Sequence, residues 1–195
     1  MTTKITDLVN KIAALEQQLV EELRQQQEEF HYQLEDSKVK FESTVLIAHR
    51  KLRASLLPWL RSSSLGNIVS APFIYMMIVP LAFLDLMVTL YQQLCFRLYQ
   101  LPRVKRGDYI VLDRHQLAYL NGIEKFNCVY CGYGNGVVAY TREIVSRTEQ
   151  YWCPIKHARK VVGVHKRYHK FLDYGDAENY SSEIVRLRED LKKEE

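Results

Sequence analysis

Cysteine and histidine side chains are concentrated in residues 128–157, and their spacing is typical of a metal site. Cys128 and Cys131 form one pair and Cys153 and His157 a second, which gives the pattern Cys-x2-Cys-x21-Cys-x3-His. Thiolate sulfur and imidazole nitrogen are ligands that Zn²⁺ prefers, and four of them complete a tetrahedral site. The spacing is close to common zinc patterns. We therefore expect a closed, structural Cys₃His zinc site.

Other assignments of these residues stay open. His165 and His169 are alternative fourth ligands, since they stand nearby at i, i+4 spacing. Iron or an iron–sulfur cluster is less favoured, because such a cluster would prefer a fourth cysteine and Cys95 lies at the apolar segment instead. A redox dithiol made of Cys128 and Cys131 is a competing hypothesis, but no βαβ pattern surrounds the pair.

A turn and a helix must position the expected ligands. Cys128–Cys131 predicts a tight turn, and Gly132, Gly134 and Gly136 predict a loop after it. Residues 137–151 then predict an amphipathic helix, after which the second ligand pair has to return on a packed neighbour.

Short elements are expected on both sides of this region. Residues 108–113 predict a strand and residues 116–126 a short amphipathic helix. A final amphipathic helix is expected from Ser181 to Leu191, with Ile184 and Leu187 on its apolar face.

The run from Ile68 to Leu90 is apolar around its whole circumference and is long enough to cross a membrane. Asp85 is its only residue of low pKa. A charge at that depth costs about 3 kcal/mol on insertion scales, so Asp85 is a candidate intramembrane functional residue. The competing role is a protonated acid bonded to Thr89 or to a neighbouring helix.

The mode of insertion is open. Basic residues flank the apolar run on both sides, so the positive-inside rule favours neither orientation. A kinked single span and a re-entrant hairpin with its tip at Pro80 are both compatible with basic residues on both flanks. The flanking residues Arg103, Lys105 and Arg106 are expected to contact lipid headgroups.

Residues 3–57 contain no glycine or proline, and apolar residues recur there at helical spacing. The repeat begins as an a/d seam, which predicts a coiled-coil arm that pairs with itself or with a protein partner. The competing reading is a single solvated helix. The seam residues are Ile5, Leu8, Ile12, Leu15, Leu19 and Leu23, with Phe30, Leu34, Phe41 and Val45 beyond them.

Composition narrows the class of protein. The four cysteines do not make a disulfide scaffold, and the N-terminal residues do not resemble a signal peptide, so a reducing compartment is favoured. The net charge of +4 and the basic, aromatic run 156–171 suit anionic lipid or nucleic acid. The apolar segment on the same chain makes nucleic acid the less expected partner.

Residues 106–121, from Arg106-Gly-Asp-Tyr to Tyr-Leu-Asn, and residues 149–158, Glu-Gln-Tyr-Trp-Cys-Pro-Ile-Lys-His-Ala, are similar to a group of bacterial membrane proteins. The resemblance covers about residues 101–180. It implies a bacterial inner membrane and no particular activity. If the apolar run is a single span, thiols able to bind zinc indicate that its C-terminal side faces the cytoplasm.

Taken together, these features predict a mainly α-helical chain with a small zinc-stabilised α(+β) region. We expect a membrane-anchored zinc-binding adaptor or scaffold, because the sequence carries no catalytic signature. The alternatives are a membrane-bound thiol redox protein and a zinc-dependent nucleic-acid-binding protein. The expected parts are an arm (1–57), an interfacial linker (58–66), a membrane segment (67–96), a metal-binding cytosolic domain (97–180) and a C-terminal helix with a charged tail (181–195).

Overall fold

A computed structural model describes residues 3–29, 32–35, 38–41, 43–55, 58, 61 and 64–194. The prediction of a mainly α-helical chain is confirmed. The chain divides into two compact units. One contains Met1–Ser62 with Asp113–Lys125, and the other contains Ser63–Leu112 with Phe126–Glu195.

In the first unit, helix α1 spans Thr3–Glu29 and helix α2 spans Ser43–Lys51. Strands β1 (Tyr32–Glu35) and β2 (Lys38–Phe41) lie between them and pair antiparallel. The prediction of helix through the whole arm is therefore wrong at the hairpin. Apolar and polar residues alternate in both strands, which is the period of a strand.

The second unit begins with a long helical segment, Leu65–Tyr99, which we call the apolar helix. It consists of α3 (Leu65–Met76), α4 (Ile78–Tyr91), a π-helical stretch (Gln92–Phe96) and the single turn α5 (Arg97–Tyr99). Among the described residues, it is the one helix that is long and apolar enough to cross a membrane.

The ends of the apolar helix follow from local chemistry. Ser64 is the N-cap, and its hydroxyl accepts a hydrogen bond from the Asn67 amide (3.3 Å). At the other end Gln100 adopts left-handed backbone angles (φ 56°), and the Leu101 amide donates to the Phe96 carbonyl (2.8 Å). Pro102 follows two residues later, where a helix could not continue.

A proline interrupts the apolar helix without reversing it. Pro80 has no amide hydrogen to donate to the Met76 carbonyl, and its ring crowds that carbonyl. Helix α3 accordingly ends at Met76, and α4 starts again at Ile78. The chain runs on in the same helical segment, so the re-entrant hairpin with its tip at Pro80 is not the structure found.

Helix α6 spans Gly122–Trp152 without interruption. It starts at a capping box: Asn121 Oδ1 accepts from the amides of Ile123 and Glu124 (both 3.0 Å), and Glu124 Oε2 accepts from the Asn121 amide (2.8 Å). The predicted strand at 108–113 and the predicted glycine-rich loop are wrong, and the predicted helix at 116–126 is α-helical only from Gly122 onward. The predicted helix at 137–151 is confirmed as the second half of α6.

Helix α6 lies parallel to the apolar helix and packs along it. Tyr75 hydrogen-bonds to Asn127 near the start of the contact, and Tyr99 stacks on Tyr151 at its end (4.9 Å between ring centroids). Residues 101–112 follow the apolar helix in sequence and contact both helices. We call them the return segment.

The C-terminal residues cover the end of α6. Helix α7 (Tyr180–Lys192) buries Leu187 and Leu191 completely, as the sequence pattern predicts. A single bridge pairs Ile155 with Leu172, and Gln150 Nε2 donates to the Leu187 carbonyl (2.9 Å). The second half of α6 and α7 therefore share one core.

Candidate functional site: the polar seam beneath the apolar helix

Asp85 and Gln92 of the apolar helix lie on the face that packs against α6 and the return segment. We call this contact the polar seam and define it by Asp85, Gln92, Arg106, Tyr133 and Tyr140. Asp85, Gln92 and Tyr140 are buried, although Asp85 and Gln92 interrupt an otherwise apolar sequence. A buried polar group is tolerated when it is hydrogen-bonded, and the seam supplies the partners.

Asp85 is held by two elements at once. Arg106 of the return segment forks onto its carboxylate, with Nε 3.1 Å from Oδ1 and Nη2 2.6 Å from Oδ2. Tyr133 of α6 donates its hydroxyl to Oδ2 (3.0 Å). The Asp85 side chain is 11% exposed and the Arg106 side chain is 47% exposed, so the buried charge is paired with a side chain that still contacts solvent.

Gln92 ties the return segment to the apolar helix through its amide. The Val104 amide donates to Gln92 Oε1 (3.0 Å), and Gln92 Nε2 donates to the Val104 carbonyl (3.2 Å) and to the Tyr140 hydroxyl. One side chain thus satisfies both backbone groups of a buried residue. Gln92 opens the π-helical stretch, which places it and Phe96 on the buried side.

Gly136 lets the return segment approach α6 at backbone distance. A Cβ at this position would stand 2.8 Å from the Tyr109 carbonyl oxygen and 2.9 Å from Ile110 Cα. Gly134 similarly faces Leu81, with 3.3 Å between its notional Cβ and Leu81 Cδ1. The three glycines in the interior of α6, Gly132, Gly134 and Gly136, cost about 3 kcal/mol in helix propensity. The close packing at Gly134 and Gly136 offsets part of that cost.

The face of the apolar helix opposite the polar seam is uncovered and apolar. Phe83, across the helix from Asp85, is 63% exposed. The exposed side chains recur at helical spacing over the whole length of the apolar helix, and none of them is charged between Leu65 and Leu94. They include Leu65, Val69, Phe73, Met76, Val79, Phe83, Leu86, Leu90, Leu94 and Leu98.

The predicted zinc ligands are not brought together. Cys128 and Cys131 lie within α6, and Cys153 follows its last residue, so about 30 Å of helix at ~1.5 Å per residue separates the two pairs. Ligands of one zinc ion have to lie within ~2.3 Å of it. In the part of the chain that the structure describes, no three His, Cys, Asp or Glu side chains are grouped to hold a metal ion.

The three candidate histidines have other surroundings. His165 Nε2 lies 2.9 Å from Glu149 Oε2. The His157 ring stacks on Tyr168 (6.2 Å between centroids), and the Tyr168 hydroxyl accepts from the His157 amide (2.6 Å). His169 makes an edge contact with Tyr168. Aromatic packing and one carboxylate, not thiolates, surround these imidazoles.

The predicted headgroup residues separate into two kinds. Arg106 is engaged by Asp85, which the sequence did not indicate. Arg103 Nη1 donates to Gln93 Oε1 (2.6 Å) on the surface, and Lys105 is exposed. Arg103 and Lys105 therefore remain available to an anionic surface, while Arg106 has a structural contact.

A second polar cluster fixes the C-terminal residues to α6. Glu143 accepts from Arg147 Nε (2.9 Å) and from Arg167 Nη2 (2.7 Å), and Arg167 also pairs with Glu194. Burial would raise the pKa of Glu143, but the hydrogen bonds from Arg167 and Arg147 outweigh it and hold the pKa below its ordinary value. We call this cluster the C-terminal clamp.

Sequence reasoning singled out Asp85 but missed its partners Arg106 and Tyr133, and it missed the buried Gln92. The capping pattern Asn121-x-x-Glu124 was readable and would have placed the start of α6. Gly132 and Gly136 stand at i, i+4, which is the small-residue spacing of closely packed helices. No sequence signal connects Arg106 to Asp85 across 21 residues.

Comparison of the chain with protein-family profiles, with curated proteins and with solved structures found no match. Function is therefore inferred from the contacts of the chain itself.

Proposed function

We propose that this chain is a membrane-attached adaptor protein. The apolar helix attaches it to a lipid bilayer, and α1 offers an apolar stripe to a protein partner or to a second copy. The observation that carries the proposal is the division of the apolar helix into two faces. One face pairs its polar groups inside the chain, and the other leaves apolar side chains uncovered along ~50 Å of helix.

The uncovered face runs along the whole apolar helix, ~50 Å. Contiguous apolar patches on soluble monomers rarely exceed a few hundred Å², and larger ones mark contact with a protein or a membrane. The buried core helix of a soluble protein would have these side chains covered. Asp85, the one acidic residue of the apolar helix, turns inward, as ionisable residues of membrane helices do.

Helix α1 supports the adaptor part of the proposal. Its described seam residues are exposed, Leu15 by 63% and Ile12 by 58%. An amphipathic helix of this length has little to bury alone and gains stability by pairing. The stripe is flanked by charged and amide side chains, which suits a protein surface better than hydrocarbon.

We place the protein at a bacterial inner membrane with its soluble parts in the cytoplasm, on the resemblance given above and on its cysteines, which are free. The proposed adaptor role involves no catalysis. The thiol redox and nucleic-acid hypotheses gain no specific support from the described contacts. Cys128 lies about two turns inside α6, whereas redox-active cysteines are typically found at a helix N-terminus.

Zinc binding by Cys128, Cys131, Cys153 and His157 stays a prediction and is not needed for this proposal. The C-terminal region has a hydrophobic core and the C-terminal clamp to hold it. A single ion could join the two ligand pairs only if α6 were broken.

Fractionation of cells that express the full chain tests membrane attachment. We expect the protein to sediment with membranes, to resist carbonate and to be released by detergent. The double variant Phe83→Asp, Met87→Asp should shift it to the soluble fraction, because both changes place charge on the uncovered face. Val138→Asp, on the exposed face of α6, is the matched control and should leave the protein in the membrane. A wild-type protein that carbonate extracts would refute the proposal.

Crosslinking in native membranes tests the adaptor role. A photo-reactive residue at Leu15 of α1 should capture a discrete partner or a second copy, while one at Gln17 should capture less. Equal labelling of many proteins from both positions would mean that the stripe has no specific partner.

A further inference from the structure

We propose that the apolar helix lies in the plane of the membrane, with its uncovered face in one leaflet, and does not cross the bilayer. This orientation rests on the proposed membrane attachment and adds how the helix meets lipid. The lipid partner is a bilayer with anionic headgroups.

The polar seam is the first reason. Asp85 is the 21st of the 35 residues of the apolar helix, so a span centred on this helix places Asp85 and Arg106 near the bilayer midplane. The return segment, which is not a regular helix, would lie at the same depth. Irregular backbone and a half-exposed guanidinium are excluded from hydrocarbon unless protein encloses them, and Arg106 is 47% exposed.

Moving the span toward the N-terminus does not remove the difficulty. A span over residues 65–84 would have its midplane near Tyr75, which hydrogen-bonds to Asn127 of α6. Two charged residues, Glu124 and Lys125, stand three and two positions before Asn127. Helix α6 is parallel to the apolar helix, so any spanning arrangement that keeps this packing carries polar chain into the bilayer with it.

Length and charge agree with an in-plane helix. Thirty-five residues extend over ~50 Å, well beyond the ~30 Å of hydrocarbon, whereas an in-plane helix has no such limit. Arg97, Arg103 and Lys105 are exposed near its C-terminal end, where they can reach anionic headgroups. Basic residues also precede the helix in sequence, and an in-plane helix keeps both flanks on one side, which explains why the positive charges do not favour an orientation.

Fluorescence quenching by brominated lipids measures the depth directly. The full chain, with Trp59→Phe and Trp152→Phe, receives one tryptophan at a time in place of Phe73, Phe83 or Leu94, which lie on the uncovered face. The proteins are reconstituted into vesicles of phosphatidylcholine and phosphatidylglycerol. Val138→Trp on the exposed face of α6 is the control and should escape quenching.

The in-plane helix predicts the same shallow depth at all three positions, about 5–10 Å below the headgroups. A deep Phe83 position between shallow Phe73 and Leu94 positions would overturn the in-plane orientation while leaving membrane attachment intact. Failure of every variant and of the unaltered chain to float with vesicles would overturn attachment itself, and the orientation with it.

Labelling of single cysteines in cells gives an independent readout. In a chain with its four cysteines changed to serine, Ser64→Cys and Gln100→Cys mark the two ends of the apolar helix. An impermeant maleimide should reach both from the cytoplasmic side in inverted vesicles and neither in intact spheroplasts. Labelling of the two ends from opposite sides would show a span.

Discussion

Helix α1 and the apolar helix both expose an apolar face, but they differ in what lies behind it. Every α1 side chain that the structure describes is exposed, and its apolar residues form a narrow stripe among charged and amide groups. The apolar helix is packed on one side by α6 and the return segment and is apolar on the other. The width of the uncovered face and the presence of an internal partner thus distinguish a protein-binding helix from a lipid-binding one.

The comparison predicts that the packed side of the apolar helix supports the fold, and Gly136→Ala should give the largest effect. The new Cβ would stand under 3.0 Å from two backbone atoms of the return segment. Backbone atoms cannot turn aside as the end of a flexible side chain can. We expect a destabilisation of about 3 kcal/mol, despite ~1 kcal/mol of gained helix propensity, measured by thermal unfolding in detergent.

Gly107→Ala is the matched control, because a Cβ there meets nothing within 4 Å. It should unfold like the unaltered chain. If Gly136→Ala is equally harmless, the return segment does not pack against α6 and the polar seam is wrong.

The C-terminal clamp should come next in size. Glu143→Gln leaves Arg147 and Arg167 without their shared carboxylate, and we expect a loss of about 2–3 kcal/mol. Glu183→Gln, in the exposed pair with Arg186, should cost less than ~0.5 kcal/mol.

Glu143→Gln also tests how the stability of the fold depends on pH. The folded-state pKa of Glu143 lies below its unfolded value, so the stabilisation is present above pH ~4.5 and is lost as pH falls through the folded pKa. Unfolding of Glu143→Gln should therefore depend less on pH in the acid range than that of the unaltered chain. If the free energy of unfolding falls equally with decreasing pH in both proteins, Glu143 does not contribute to the C-terminal clamp.

Within the polar seam, Asp85→Asn should destabilise by about 1–2 kcal/mol. The loss is smaller than at Glu143 because Arg106 can turn to solvent. The double variant Asp85→Asn, Arg106→Gln should lose less than the sum of the single losses, and Asp108→Asn on the exposed part of the return segment should lose almost nothing. Strict additivity would show that the two side chains are not coupled.

On α1 the same kind of measurement should show no change in stability. Leu15→Ser and Leu19→Ser alter exposed side chains and should shift the free energy of unfolding by less than ~0.5 kcal/mol. Leu19→Ser should nevertheless abolish crosslinking from a photo-reactive residue at Leu15, whereas Gln17→Ser should not. Loss of stability instead of association would place the stripe inside the fold.

The smallest effect is expected at Cys153, which is exposed. If α6 stays continuous, protein purified without chelators holds less than one zinc ion per chain, and Cys153→Ser leaves its metal content and stability unchanged. One zinc ion per chain that disappears in Cys153→Ser would establish the Cys₃His site and would require α6 to break.

Patterns that depend on local periodicity were predictable. The apolar run, the helix at 181–191 and the second half of α6 each repeat apolar residues at helical spacing, and the structure has helices there. The cysteine spacing was a weaker guide, because it assumed that Gly132, Gly134 and Gly136 break the helix. Glycine weakens a helix by only ~1 kcal/mol, and close packing on both sides of α6 reverses that preference.

The sequence by itself determined that the chain is mainly helical and that one helix is apolar enough for a membrane. It also determined that Asp85, the acidic residue of that helix, needs a polar partner. These properties follow from side-chain periodicity and desolvation, which act locally. Only the tertiary structure decided that Arg106 and Tyr133 are that partner, that α6 is continuous and that the cysteine pairs stand apart. Those outcomes depend on which backbones approach closely, at Gly136 above all, and such contacts leave no periodic trace in the sequence.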